Sequence, residues 1–148
     1  MRIYIIFLLV ISFFISCDEN ITEENYTDII ELENPPILTF ENKTFDFGTV
    51  IDGDQVIHKY EFTNTGKGPL VLSAVNGSCG CTIPKNWPRT PIASGESSYI
   101  EVVFNSEGRA GQTNKTITVV ANTKPGATKL KLIGNVVGPT EIDTNENN

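Results

Sequence analysis

The sequence predicts an all-β fold, an immunoglobulin-like β-sandwich of about seven strands over residues 37–137. Three observations lead there. From Ile37 onward apolar residues recur at every second position, the period of a half-buried strand. Turn residues break the pattern at short intervals, and no stretch of the region carries the period of an amphipathic helix.

Phe45 and Phe47 alternate with polar neighbours ahead of Gly48. Val56, His58, Tyr60 and Phe62 alternate with Ile57, Lys59, Glu61 and Thr63, and Asn64-Thr65-Gly66 closes that strand. Leu70 and Leu72 follow Gly68-Pro69, and Ile100, Val102 and Phe104 follow Ser94-Gly95-Glu96. Ile117, Val119 and Ala121 precede Asn122, and Leu130, Leu132 and Val136 form the last strand. The predicted core is Phe47, Tyr60, Phe62, Leu72, Val102, Phe104, Val119 and Leu132. The Cys–Trp–Cys arrangement of antibody domains is missing, so the likeness is one of architecture.

What precedes the domain is an address and a tether. Met1-Arg2 supplies a positive start, and Ile3 to Ile15 is a nearly unbroken apolar run. That run is shorter than the ~20 residues a spanning helix needs, and it fits the apolar region of a secretory signal peptide at residues 1–16. Phe14-Ile15-Ser16-Cys17 resembles a lipobox, the bacterial cleavage site before a cysteine that receives lipid. Phe14 and Ile15 depart from the commoner Leu and small residue, a looseness similar to that of Bacteroidetes lipoproteins. Asp18-Glu19 resembles the acidic signal that sends some of those lipoproteins to the cell surface. The expectation is lipidation at Cys17, with two or more acyl chains holding the protein to a membrane, most readily the outer membrane.

The net charge of −7 is a property of the flanks. Seven acids and no base lie in residues 18–36 and three more acids in 138–148, which leaves eight acids against ten bases in 37–137. Residues 17–36 therefore read as the lipidated cysteine and an acidic flexible linker, and 138–148 as a disordered acidic tail. No basic stripe supports nucleic-acid binding.

Phe45-Asp46-Phe47-Gly48-Thr49-Val50, the run His58 to Gly66, Pro69-Leu70-Val71-Leu72 and Ser78-Cys79-Gly80-Cys81-Thr82 together resemble the bacterial domain-of-unknown-function family 1573. Ile92, Gly95 and Arg109-Ala110-Gly111 add to the match, whose most specific part is the Cys-Gly-Cys run. The resemblance implies an immunoglobulin-like fold similar to the ASH and major-sperm-protein domains. It implies no reaction.

Cys79 and Cys81 are the chemically loaded residues. Residues i and i+2 of extended chain share a face, so the sulfurs converge. Three readings compete: a disulfide, whose small ring would be strained and easily reduced; a soft-metal site suited to Cu(I); and small hydrophobes packed in a turn. His58 is the single histidine and lies on the apolar face of its strand, where a packed, hydrogen-bonded ring is the ordinary finding. It is a candidate ligand beside the cysteines only if its strand neighbours their loop. One histidine and no placed acid give a hydrolytic triad nothing to stand on, and no enzyme activity is expected. Trp87, in the proline-rich run 84–89, is a candidate contact residue or a ring capping the sandwich. Arg109, between Gly108 and Gly111, belongs to a predicted hairpin turn and is a second candidate contact. The functional expectation is a non-catalytic, membrane-anchored envelope module that binds an envelope protein or glycan through end loops or a strand edge. The alternative is a thiol redox or Cu(I)-binding protein; the first reading needs no cofactor.

Overall fold

The computed structural model describes residues 34–138, so the expected signal peptide, the expected lipidation at Cys17, most of the expected linker and the expected tail lie outside the described residues. Eight strands fill the described region. They are β1 (Leu38–Phe40), β2 (Thr44–Ile51), β3 (Gln55–Asn64), β4 (Leu72–Gly77), β5 (Thr82–Asn86), β6 (Ser97–Asn105), β7 (Gly111–Ala121) and β8 (Ala127–Val137). They form two four-stranded sheets, ordered β1-β3-β6-β5 and β2-β8-β7-β4. Every pairing is antiparallel except β2 with β8.

The sandwich follows from the alternation. Tyr60 and Phe62 of β3, Ile100, Val102 and Phe104 of β6, Ile117 and Val119 of β7, and Leu130 and Leu132 of β8 are almost fully buried between the sheets. Each such side chain contributes about 1.5–3 kcal/mol by leaving water. The Tyr60 hydroxyl crosses the core and donates to the Lys131 carbonyl at 2.8 Å, tying β3 to β8, and burial pushes its phenol pKa well up.

Three sequence expectations need correction. Phe47 is only half-buried, because β2 is an edge strand; its ring stacks near Phe104 and lies over Gly134, where a Cβ would run into it. Residues 82–86 form the edge strand β5, which takes in the first half of the proline-rich run 84–89 that the sequence offered as a loop. An edge position tolerates Pro84, which has no N–H to give to a ladder. Arg109 lies in the connection between β6 and β7, which belong to different sheets, so the segment is a crossover and not a hairpin.

The folded unit also starts earlier than the predicted linker boundary. Pro36 is buried, and the Pro35 carbonyl accepts from the Lys67 amide at 3.3 Å. Gly66 and Gly68 permit this: a Cβ on either would strike the backbone of residues 34–37.

Candidate functional site

The cysteines sit where the chain leaves one sheet for the other. β4 is an edge of the second sheet and β5 an edge of the first, and residues 78–81 make the corner between them. Backbone geometry sets the corner. The Ser78 amide donates to Thr116 O at 2.8 Å, Thr82 N to Cys79 O at 3.1 Å, and Asn105 N to Cys81 O at 2.9 Å. Gly77 lies so close to β5 that a Cβ there would meet the Thr82 carbonyl. Cys79 and Cys81 are joined by a disulfide across a Cα separation of 5.3 Å, inside the usual range for such a bond. Cys79 is half-buried and Cys81 only 3% exposed. The Thr82 hydroxyl lies 3.6 Å from the Cys79 sulfur and 3.8 Å from that of Cys81.

His58 does not join them. In register it pairs with Val102 of β6, whose other neighbour is Pro84 of β5, so β6 stands between His58 and the cysteine strand. Two strand spacings put that separation at roughly 10 Å. The His58 ring instead stacks on Phe45 at 3.7 Å and meets Tyr60 edge-on at 4.5 Å. Burial lowers its pKa, against a smaller opposing pull from Glu61. Among the described residues no group of three or more His, Cys, Asp and Glu is placed to hold a metal ion. The bridged sulfurs carry no thiolate, so Cu(I) would require the reduced pair.

Trp87 follows directly on β5 and is half-buried against the core. The Arg89 guanidinium lies 3.4 Å from the centre of its ring. One side of the indole is thus engaged by the core and the ring also carries a cation. Arg109 is exposed and donates to the Glu107 carbonyl of its own loop.

Pairing register also assembles a surface that the sequence did not single out. Ile57 of β3, Val103 of β6 and Ile83 of β5 lie side by side across the outer face of the first sheet. Ile57 is 61% exposed and Ile83 43%. Tyr99 continues this face, with Lys59 over its ring at 4.5 Å and Asn86 donating to its hydroxyl at 3.3 Å. A shallow recess of about 200 Å³ between Asn86, Trp87, Pro88, Ser98 and Tyr99 borders it.

Residues 38–136 match the family described as "Protein of unknown function (DUF1573)". The chain belongs to this family. Its Cys-Gly-Cys corner, Leu70–Ile92 bridge and Asn64 turn all fall inside the matched DUF1573 segment. A comparison with curated protein sequences found no match. Among solved structures the chain is similar to a protein of unknown function from Porphyromonas gingivalis W83, at 21% identity and a TM-score of 0.57, over 68% of this chain and 46% of that one. It is similar to the ASH/PapD-like domain 7 of human CEP192, at 14% identity and a TM-score of 0.55, over 68% of this chain and 85% of that one. The secreted serine protease VesC of Vibrio cholerae matches at 23% identity and a TM-score of 0.55, over 67% of this chain. The DUF1573 chain spans less than half of the Porphyromonas protein and 23% of VesC, so these likenesses establish the fold alone.

Proposed function

We propose that this protein is a non-catalytic, lipid-anchored module of a bacterial envelope that docks another envelope protein on the outer face of its β3-β6-β5 sheet. The observation that carries the reading is the Ile57–Val103–Ile83 row, an apolar strip in register across three strands and open to solvent at both ends. Scattered exposed apolar residues are ordinary on any surface, whereas a contiguous strip marks an interaction site. The flanking Tyr99 and Lys59–Glu101 pair supply the mixed rim such a site uses.

A strand-edge mode has less support. β5 is short, carries Pro84 and Lys85, and breaks register between Pro84 and Asn86, all features that blunt an edge. A glycan is also less favoured than a protein, because Trp87 already holds the core and the Arg89 cation and is not an open stacking platform. The anchor rests on the lipobox-like run ending at Cys17.

The test expresses the full chain with Ile57→Lys and Ile83→Lys together and compares envelope extracts on native gels. Wild-type chain should migrate as a larger complex, and the double variant as the free chain while still fractionating with membranes. Cys17→Ala should release the chain from salt-washed membranes. A wild-type chain that migrates alone, or a double variant that keeps the complex, overturns the docking face. A Cys17→Ala chain that stays with the membranes overturns the anchor.

A further inference from the structure

We propose that the Cys79–Cys81 pair is a thiol–disulfide exchange site for protein dithiols, a function separate from the docking face and independent of it. A bridge over one intervening residue closes a small ring, and strained or exposed bridges are the labile ones. Three features of the corner fit exchange better than a structural staple.

The first is asymmetry. Cys79 is half-exposed and Cys81 almost fully buried, so an incoming thiolate reaches the Cys79 sulfur and leaves Cys81 as the departing group. Gly80 between them is exposed, and a Cβ there would touch nothing, which leaves the approach open. The second is the Thr82 hydroxyl, near both sulfurs and able to donate to whichever becomes a thiolate. The third is the frame. Ser78, Thr82 and Asn105 fix the corner through backbone hydrogen bonds that do not involve the sulfurs, and Gly77 packs on the Thr82 carbonyl. The corner backbone is therefore held by bonds other than the bridge, which keeps the thiols of the reduced form within reach of each other.

The step balances as follows. A partner thiolate attacks Cys79 Sγ; the new mixed disulfide forms as the Cys79–Cys81 bond breaks, and Cys81 leaves with the electron pair. The partner's second thiolate then attacks its own sulfur in the mixed disulfide and expels Cys79. The partner dithiol has lost two electrons and two protons, and the Cys79–Cys81 pair has gained them. Attack of the Cys79 thiolate on a partner disulfide runs the sequence backward and restores the bond.

The experiment uses the full chain with Cys17→Ser, so that no third thiol competes, in glutathione buffers of stepped oxidation state with acid quenching and mass analysis. The folded Cys17→Ser protein should open its bridge within the buffer series, with the emission of Trp87, the single tryptophan, unchanged. Added Cys81→Ser should hold glutathione on Cys79, and added Cys79→Ser should hold none on Cys81. Should a serine variant fail to fold, pulsed alkylation of the reduced Cys17→Ser protein reads the same asymmetry, with Cys79 modified before Cys81. A bridge that stays closed in excess glutathione until denaturant is added overturns the proposal. So does equal or reversed reactivity of the two sulfurs.

Discussion

Asn64 is the residue on which the turn end of the sandwich depends. It is fully buried, and its amide makes four hydrogen bonds: Oδ1 accepts from Ile37 N and Gly66 N, and Nδ2 donates to Gly68 O and Ile92 O. In the sequence it looked like a strand-ending turn residue, because such a role is visible only once segments far apart in the chain converge. Asn64→Ala strands Ile37 N, Gly66 N and Gly68 O, while the Ile92 carbonyl keeps its bond from Leu70 N, and should cost about 3 kcal/mol in chemical denaturation. His58 gives a pH signature. Its folded pKa lies below the ordinary 6.5, chiefly through burial between Phe45 and Tyr60. Just below that value the unfolded chain binds more protons than the folded one, so His58 adds stability as pH rises and loses it as pH falls through the folded pKa. Denaturation midpoints should rise with pH through the range just below the ordinary histidine value, and His58→Phe should flatten that rise.

At the scale of elements, the β4–β5 corner shows how backbone proximity constrains sequence. Gly77→Ala would place a methyl against the Thr82 carbonyl, which belongs to backbone and cannot swing aside. The variant should lose about 1–3 kcal/mol, and amide exchange should quicken first in residues 77–82. Strands β3, β6, β7 and β8 were legible because each places two or more apolar residues at alternate positions, and that pattern is sufficient for one buried face. β5 was not legible. It is five residues long and holds Pro84, so a short edge strand and a proline-rich loop look alike. Ile57 and Ile83 were hidden for a different reason: each occupies an outward position of its own strand, where a lone apolar residue means little. Only the pairing of both with Val103 makes them a surface, and register is a property of the sheet. The cysteines converge in a turn between β4 and β5, whereas the sequence reading drew their convergence from extended chain.

For the whole molecule, the parts divide the work. The two sheets bury a closed core, the corner carries paired sulfurs, and one outer sheet face carries a short apolar row among polar neighbours. Placing that face on a domain without a helix among its described residues leaves β3, β6 and β5 to hold it rigid, so docking needs little ordering of the protein itself. The claim that this face is the working surface is tested most directly by cross-linking in intact cells. A photoreactive residue at Ile83 of the full chain is compared with one at Lys129, exposed on a strand of the opposite sheet. The account predicts a discrete protein adduct from position 83 and none from position 129. Equal adducts from both positions, or none from position 83, would contradict it.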